Sequence, residues 1–160
     1  MPGESPADKL WPLDRPTLAW ADRAAEVQHV NAHRKTVLLV EEEPALLDIT
    51  AFRLELLGYV VQAHATAESA LAWLSAAVPD LIAVGYLSDI DSVELLNRIS
   101  DDPRTSGTPL LYLSANSDLD EVQRAYNAGA DEYLLTPYDP LMLERKVQGL
   151  LAAADLQQAN

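Results

Sequence analysis

The chain has 160 residues, is 49% hydrophobic, contains no cysteine and carries a formal net charge of −14. Disulfide and thiolate chemistry are excluded, and no apolar run approaches the ~20 residues of a membrane span. A surface this acidic repels phosphate backbones and anionic lipid, and the N-terminus lacks the basic-then-apolar order of a signal peptide, so a cytoplasmic protein that binds neither nucleic acid nor membrane is expected.

Residues 1–16 hold Pro2, Pro6, Pro12 and Pro16 with Trp11 and Leu13 among them, and read as an extended arm. Thr17 is placed to cap a helix from Leu18 to about Asn31, whose Trp20, Ala24, Val27 and Val30 recur at helical spacing. Segment 1–35 is charge-balanced, with five of the 25 acids and five of the 11 bases. The whole −14 therefore falls on residues 36–160.

From residue 36 the pattern alternates between strand and helix. A buried strand is predicted over 36–40. A helix follows over 44–57, with Leu46, Leu47, Ile49, Thr50, Leu54 and Leu57 covering one side and Gly58 ending it. A second strand covers 59–63. Thr66 then caps a helix over 67–77 with Ala70, Leu71 and Leu74 inward. The third strand covers 80–84, a short helix 93–100, and the fourth strand 109–113. Ser117 is read as the cap of a helix running to Ala128 and stopped by Gly129. The fifth strand covers 131–135 and the last helix 139–153. The expected division is an N-terminal arm (1–35), an α/β domain (36–154) and a C-terminal tail (155–160).

Five strands alternating with five helices imply an α/β fold, a parallel sheet covered on both faces. Ligand chemistry in such sheets lies at the carboxyl ends of the strands. Those ends carry Glu41 and Glu42, His64, Gly85, Ser114 and Thr136.

Several strings occur in order: Val37-Leu-Leu-Val-Glu-Glu-Glu-Pro44, Pro79-Asp-Leu-Ile82, Pro109-Leu-Leu-Tyr-Leu-Ser-Ala115 and Ala128-Gly-Ala-Asp-Glu-Tyr-Leu-Leu-Thr-Pro137. On these motifs residues 36–152 resemble a response-regulator receiver domain (CheY-like, flavodoxin-like fold) of two-component signalling. The resemblance implies a doubly wound five-stranded parallel sheet, strand order 2-1-3-4-5, with helices on both faces. It matches the family's metal-binding acidic pair to Glu41 and Glu42, its phosphoacceptor aspartate to Gly85, its phosphate-contacting hydroxyl to Ser114, its lysine to Thr136 and its switch aromatic to Tyr133. It also implies a cis bond before Pro137, and a partner-binding face on the fourth helix, fifth strand and fifth helix. The loop after Gly85 departs from the family's pattern, being one residue shorter.

Phosphoryl transfer needs a nucleophilic carboxylate, a divalent cation and a cationic group near the developing charge. Gly85 removes the first and Thr136 the last. No cofactor is expected, with at most weak Mg²⁺ binding at Glu41 and Glu42; that loop otherwise reads as a solvated acidic turn whose mutual repulsion raises its pKa values. The expected function is a pseudo-receiver, not an enzyme, that signals without phosphate through a protein partner or homodimer. The chain ends at Asn160, so output is expected to come from that partner. Interface candidates are Trp11, Trp20, Glu121, Tyr126 and Tyr138, with Trp73 partly exposed. A second reading is a conventional response regulator phosphorylated at a displaced acid, Asp89 or Asp91. A third is a structural dimerisation or docking module. His29 and His33, four apart, read as a solvated helix face rather than metal ligands.

Overall fold

The computed structural model describes residues 34–159. The expected arm, the helix capped by Thr17, and Trp11, Trp20, His29 and His33 lie outside the described residues. The elements run β1 (Thr36–Val40), α1 (Pro44–Leu56), β2 (Val60–His64), α2 (Ala67–Leu74), β3 (Leu81–Val84), α3 (Ser92–Asp101), β4 (Leu110–Ser114), α4 (Leu119–Asn127), β5 (Glu132–Leu135) and α5 (Pro140–Ala159).

All five strands are parallel and ordered β2-β1-β3-β4-β5. Central strands of such a sheet are covered on both faces, which is why β3 throughout and β1 from Val37 onward are apolar runs. Alternate residues serve opposite cores. Leu38, Val40, Ile82, Val84 and Leu110 face Ala70 and Leu74 of α2, Leu96 and Ile99 of α3 and Ala125 of α4. Val37, Leu39, Leu81, Ala83, Leu111 and Leu113 face Leu54 of α1 and Leu143, Val147 and Leu151 of α5. Truncating one of these fully buried leucines to alanine costs about 2–5 kcal/mol.

Local chemistry sets the helix starts. Pro44 opens α1, and the Glu43 carboxylate accepts the N–H groups of Ala45 and Leu46. Thr66 caps α2 through the Ser69 N–H. Asp91 caps α3 through the Val93 N–H. Gly129, at φ +114°, ends α4 in the left-handed conformation that glycine tolerates.

Several expectations are corrected. Asp118, not Ser117, caps α4: its carboxylate accepts the Asp120 N–H, while Asn116 Oδ1 accepts the Asp118 N–H and holds the turn that precedes the helix. α2 stops at Leu74 rather than residue 77, because the approach to Pro79 requires extended backbone. The tail assigned to 155–160 is helical through Ala159. No proline interrupts α5 after Pro140, and Asp155 on it pairs with Lys35 at 2.7 Å. Ile49 does not join the inward side of α1 but is 52% exposed.

Candidate functional site

The register Val40↔Val84 carries Glu41 alongside Gly85 at the carboxyl edge of the sheet. The two strands stay joined beyond their ends: the Gly85 N–H donates to the Val40 carbonyl (2.7 Å) and the Glu42 N–H to the Tyr86 carbonyl (3.0 Å). Glu41 is 1% exposed. Its Oε1 accepts the Glu43 N–H and its Oε2 the Tyr86 N–H, each at 2.9 Å. A Cβ on residue 85 would stand 1.7 Å from Glu41 Oε2 and 2.8 Å from its Cδ. The Glu41 carboxyl therefore occupies the space in which a side chain at 85 would begin. Glycine is required there by close approach rather than by its φ angle.

Burial raises the Glu41 pKa above the ordinary value, opposed by the two backbone N–H groups; the charges of Glu43 and Glu42 add smaller increments. This corrects the expectation of a solvated loop raised by mutual repulsion. The three glutamates have separate roles. Glu41 is folded inward, Glu43 caps α1, and Glu42 accepts the Ser88 hydroxyl through Oε1 at 2.5 Å while its Oε2 is buried without a hydrogen bond.

The displaced acids are engaged elsewhere. Asp89 accepts the Ala67 and Glu68 N–H groups, both at 3.2 Å, at the start of α2. Asp91 caps α3 and lies 3.6 Å from Arg124.

β4 and β5 build the opposite wall. Ser114 Oγ accepts the Asn116 N–H at 3.1 Å, and the Thr136 N–H donates to the Ser114 carbonyl at 2.9 Å. The Thr136–Pro137 bond is cis, as expected. The Tyr133 hydroxyl donates to the Asn116 carbonyl. Tyr133 meets Tyr112 edge-on, with centroids 5.3 Å apart and planes at 88°. The Tyr112 hydroxyl donates to Glu121 Oε1 at 3.0 Å, and Glu121 Oε2 pairs with Arg124 at 3.1 Å. Burial, then the Glu121 hydrogen bond, pushes the Tyr112 pKa well above the phenol's usual value.

Between the two walls lies a cleft of about 490 Å³, bordered by Glu41, Tyr86, Tyr112, Ser114, Glu121 and Thr136. No lysine or arginine is among the described residues lining it.

Two interface candidates take other positions. Glu121 is not a free surface charge, because Tyr112 and Arg124 both hold it against the cleft. Tyr138 is half-buried and its hydroxyl bonds Thr50, so it joins the core under α1 and α5. Tyr126 is 43% exposed. Trp73 is partly buried against the α2–α4 side and lies 6.5 Å from the His64 ring. Tyr112 was not singled out from the sequence. Its position two residues before Ser114, on the same face of a strand, was the available signal.

Mg²⁺, which the resemblance implies, requires several oxygens in near-octahedral geometry. The donors present do not fit it. Gly85 offers no side chain, both Glu41 oxygens already accept N–H groups, and no group of three His, Asp or Glu residues is arranged for a metal among the described residues.

The family described as response regulator receiver domain matches residues 37–148. A DNA-binding dual master transcriptional regulator, RpaA, of Synechocystis is 30% identical over 74% of this chain and 50% of its own length. The transcriptional regulatory protein TrcR of Mycobacterium tuberculosis is 28% identical over 86% of this chain and 53% of its own. The chain thus spans about half the length of these two regulators. Among solved structures, a CheY-like receiver domain protein of Methanospirillum hungatei superposes with a TM-score of 0.73 at 29% identity, covering 78% of this chain and 98% of that one. A response regulator of Chloroflexus aurantiacus, described as putative, gives 0.71 at 30% identity, covering 74% and 98%. No helix among the described residues is long and apolar enough to cross a membrane. With the fold, the strand order and the matched residues in agreement, the chain belongs to the response regulator receiver domain family.

Proposed function

We propose that this receiver domain signals without accepting a phosphoryl group and acts by binding a protein partner. The observation that carries the reading is the Glu41 carboxyl lying in the side-chain space of Gly85. An acceptor carboxylate has neither a residue to carry it nor room to stand. The absence of a lining cation removes the group that would stabilise charge on a transferred phosphoryl. Asp89 and Asp91 accept backbone N–H groups at helix starts, and neither lines the cleft beside Glu41.

The switch wall is held in one arrangement by internal bonds. Tyr133 is tied to the β4–α4 loop and Tyr112 to α4. This supports a constitutive α4–β5–α5 surface, on which Tyr126 offers aromatic area, and binding would then follow partner supply. Two relatives are named as transcriptional regulators, and the match covers about half of the length of each. The excess of acid over residues 36–160 argues against direct DNA contact by this domain.

The test is intact-mass spectrometry of the full chain after incubation with acetyl phosphate and Mg²⁺. The expected result is no change in mass. A stoichiometric, acid-labile gain of one phosphoryl group would overturn the reading.

A further inference from the structure

α1 is apolar on two opposite sides. Leu54 is fully buried and Leu47 packs against the same core. On the far side Ile49, Phe52 and Leu56 are 52%, 57% and 65% exposed, and Ala45 is exposed with them. Residues 45, 49, 52 and 56 are spaced four, three and four apart, the repeat of a helix–helix seam rather than of a helix that only covers a sheet. Three large apolar side chains standing together in water mark an interaction surface.

The flanking charges identify the occupant. With 49 and 56 as a positions and 45 and 52 as d positions, Asp48 falls at g and Arg53 at e. Both are exposed, and neither has an ion-pair partner among the described residues. In a parallel, in-register pair of such helices each g residue faces the e residue five positions on in the other helix, so Asp48 meets Arg53 twice. In an antiparallel pair g faces g, which sets Asp48 against Glu55, two like charges. The stripe is therefore complementary to itself in one orientation and repelled in the other.

We infer that α1 pairs with α1 of a second copy of this chain, parallel and in register, through Ala45, Ile49, Phe52 and Leu56, with Asp48 of each copy against Arg53 of the other. An isolated helix this short would be marginal. Here α1 is already built into the domain by Thr50 and Leu54, so association does not have to order it. The dimer does not depend on the state of Gly85, and it stands or falls separately from the phosphate-independent reading.

The full chain is tested by sedimentation equilibrium with variants at exposed positions. Phe52→Glu should weaken self-association by about tenfold or more. Asp48→Arg and Arg53→Asp should each weaken it, and the double swap should return it to within about threefold of the parent. Because the natural chain has no cysteine, Phe52→Cys introduces a unique thiol. Mild oxidation should give a covalent dimer through residue 52 of both copies. A parent chain that stays monomeric overturns the inference. If the thiol of a monomeric Phe52→Cys chain resists maleimide, the stripe belongs to another segment of the same chain; if that thiol reacts at once, the stripe is left to a different protein. A dimer indifferent to Phe52→Glu, or one in which Ile49→Cys and Phe52→Cys chains cross-link only with each other, overturns it as well.

Discussion

Glu41 and Gly85 share one volume: the glutamate Oε2 lies 1.7 Å from the point at which a side chain on residue 85 would start. The two positions must therefore be energetically coupled. Gly85→Ala should destabilise the domain by about 1–3 kcal/mol, because the buried Glu41 carboxyl must leave and two part-buried N–H groups lose their acceptor. Glu41→Ala should also destabilise. The double variant should lose at least about 1 kcal/mol less than the sum of the two, as urea unfolding of the full cycle would measure. Strict additivity would show that the carboxyl relaxes without cost.

Restoring an acceptor alone should fail. Gly85→Asp puts a second carboxylate against Glu41 and leaves Thr136 without a cation. We expect no phosphoryl mass gain from acetyl phosphate in this variant. Glu41→Asp, Gly85→Asp and Thr136→Lys together should give detectable acylphosphate, because the shorter acid vacates the space and the lysine supplies charge.

The pH dependence follows from the burial of Glu41. Its folded pKa lies above the ordinary 4.5, so the folded state binds the proton more tightly than the unfolded state does. The stability this adds is fully present below the unfolded value and is lost as pH rises through the raised folded value. Relative to Glu41→Gln, the parent chain should therefore gain stability as pH falls from neutral, and the difference should level off below about 4.5. Using the difference between the two proteins cancels His64, whose pKa burial shifts downward. A flat difference across this range would refute the assignment.

Glu121 should behave as an internal residue. Glu121→Lys removes the acceptor of the buried Tyr112 hydroxyl and the partner of Arg124. A loss of about 1–3 kcal/mol is expected in thermal or urea unfolding. Tyr126→Ala removes exposed aromatic area and should leave stability within about 0.5 kcal/mol. It is the cleaner probe of partner binding at α4.

Much of this architecture was legible because the central strands are apolar runs between punctuating residues. Thr66, Gly58 and Gly129 marked their elements for reasons of backbone chemistry alone, and the string ending Thr136-Pro137 carried its turn with it. The direction of a side chain was not legible. Glutamate is rarely buried, and nothing in Glu41-Glu42-Glu43 distinguishes the one that folds inward from the one that caps a helix. That choice depends on two N–H groups, those of Glu43 and Tyr86, the latter brought by a distant strand. The outward turn of Ile49 was hidden for a related reason. A helix apolar on both sides has no periodic contrast to read, and only packing against the sheet decides which side turns inward. The cap of α4 is Asp118 rather than Ser117 because Asn116 fixes the preceding turn, a three-residue arrangement that single-residue preference does not contain.

The shared volume of Glu41 and Gly85 also bears on the order in which substitutions can accumulate. A change at 85 made first meets an occupied space, and a change at 41 made first leaves a hole with two unsatisfied N–H groups. Each single step is therefore expected to cost stability. Change at one residue is thus expected to be checked by the other, through stability alone.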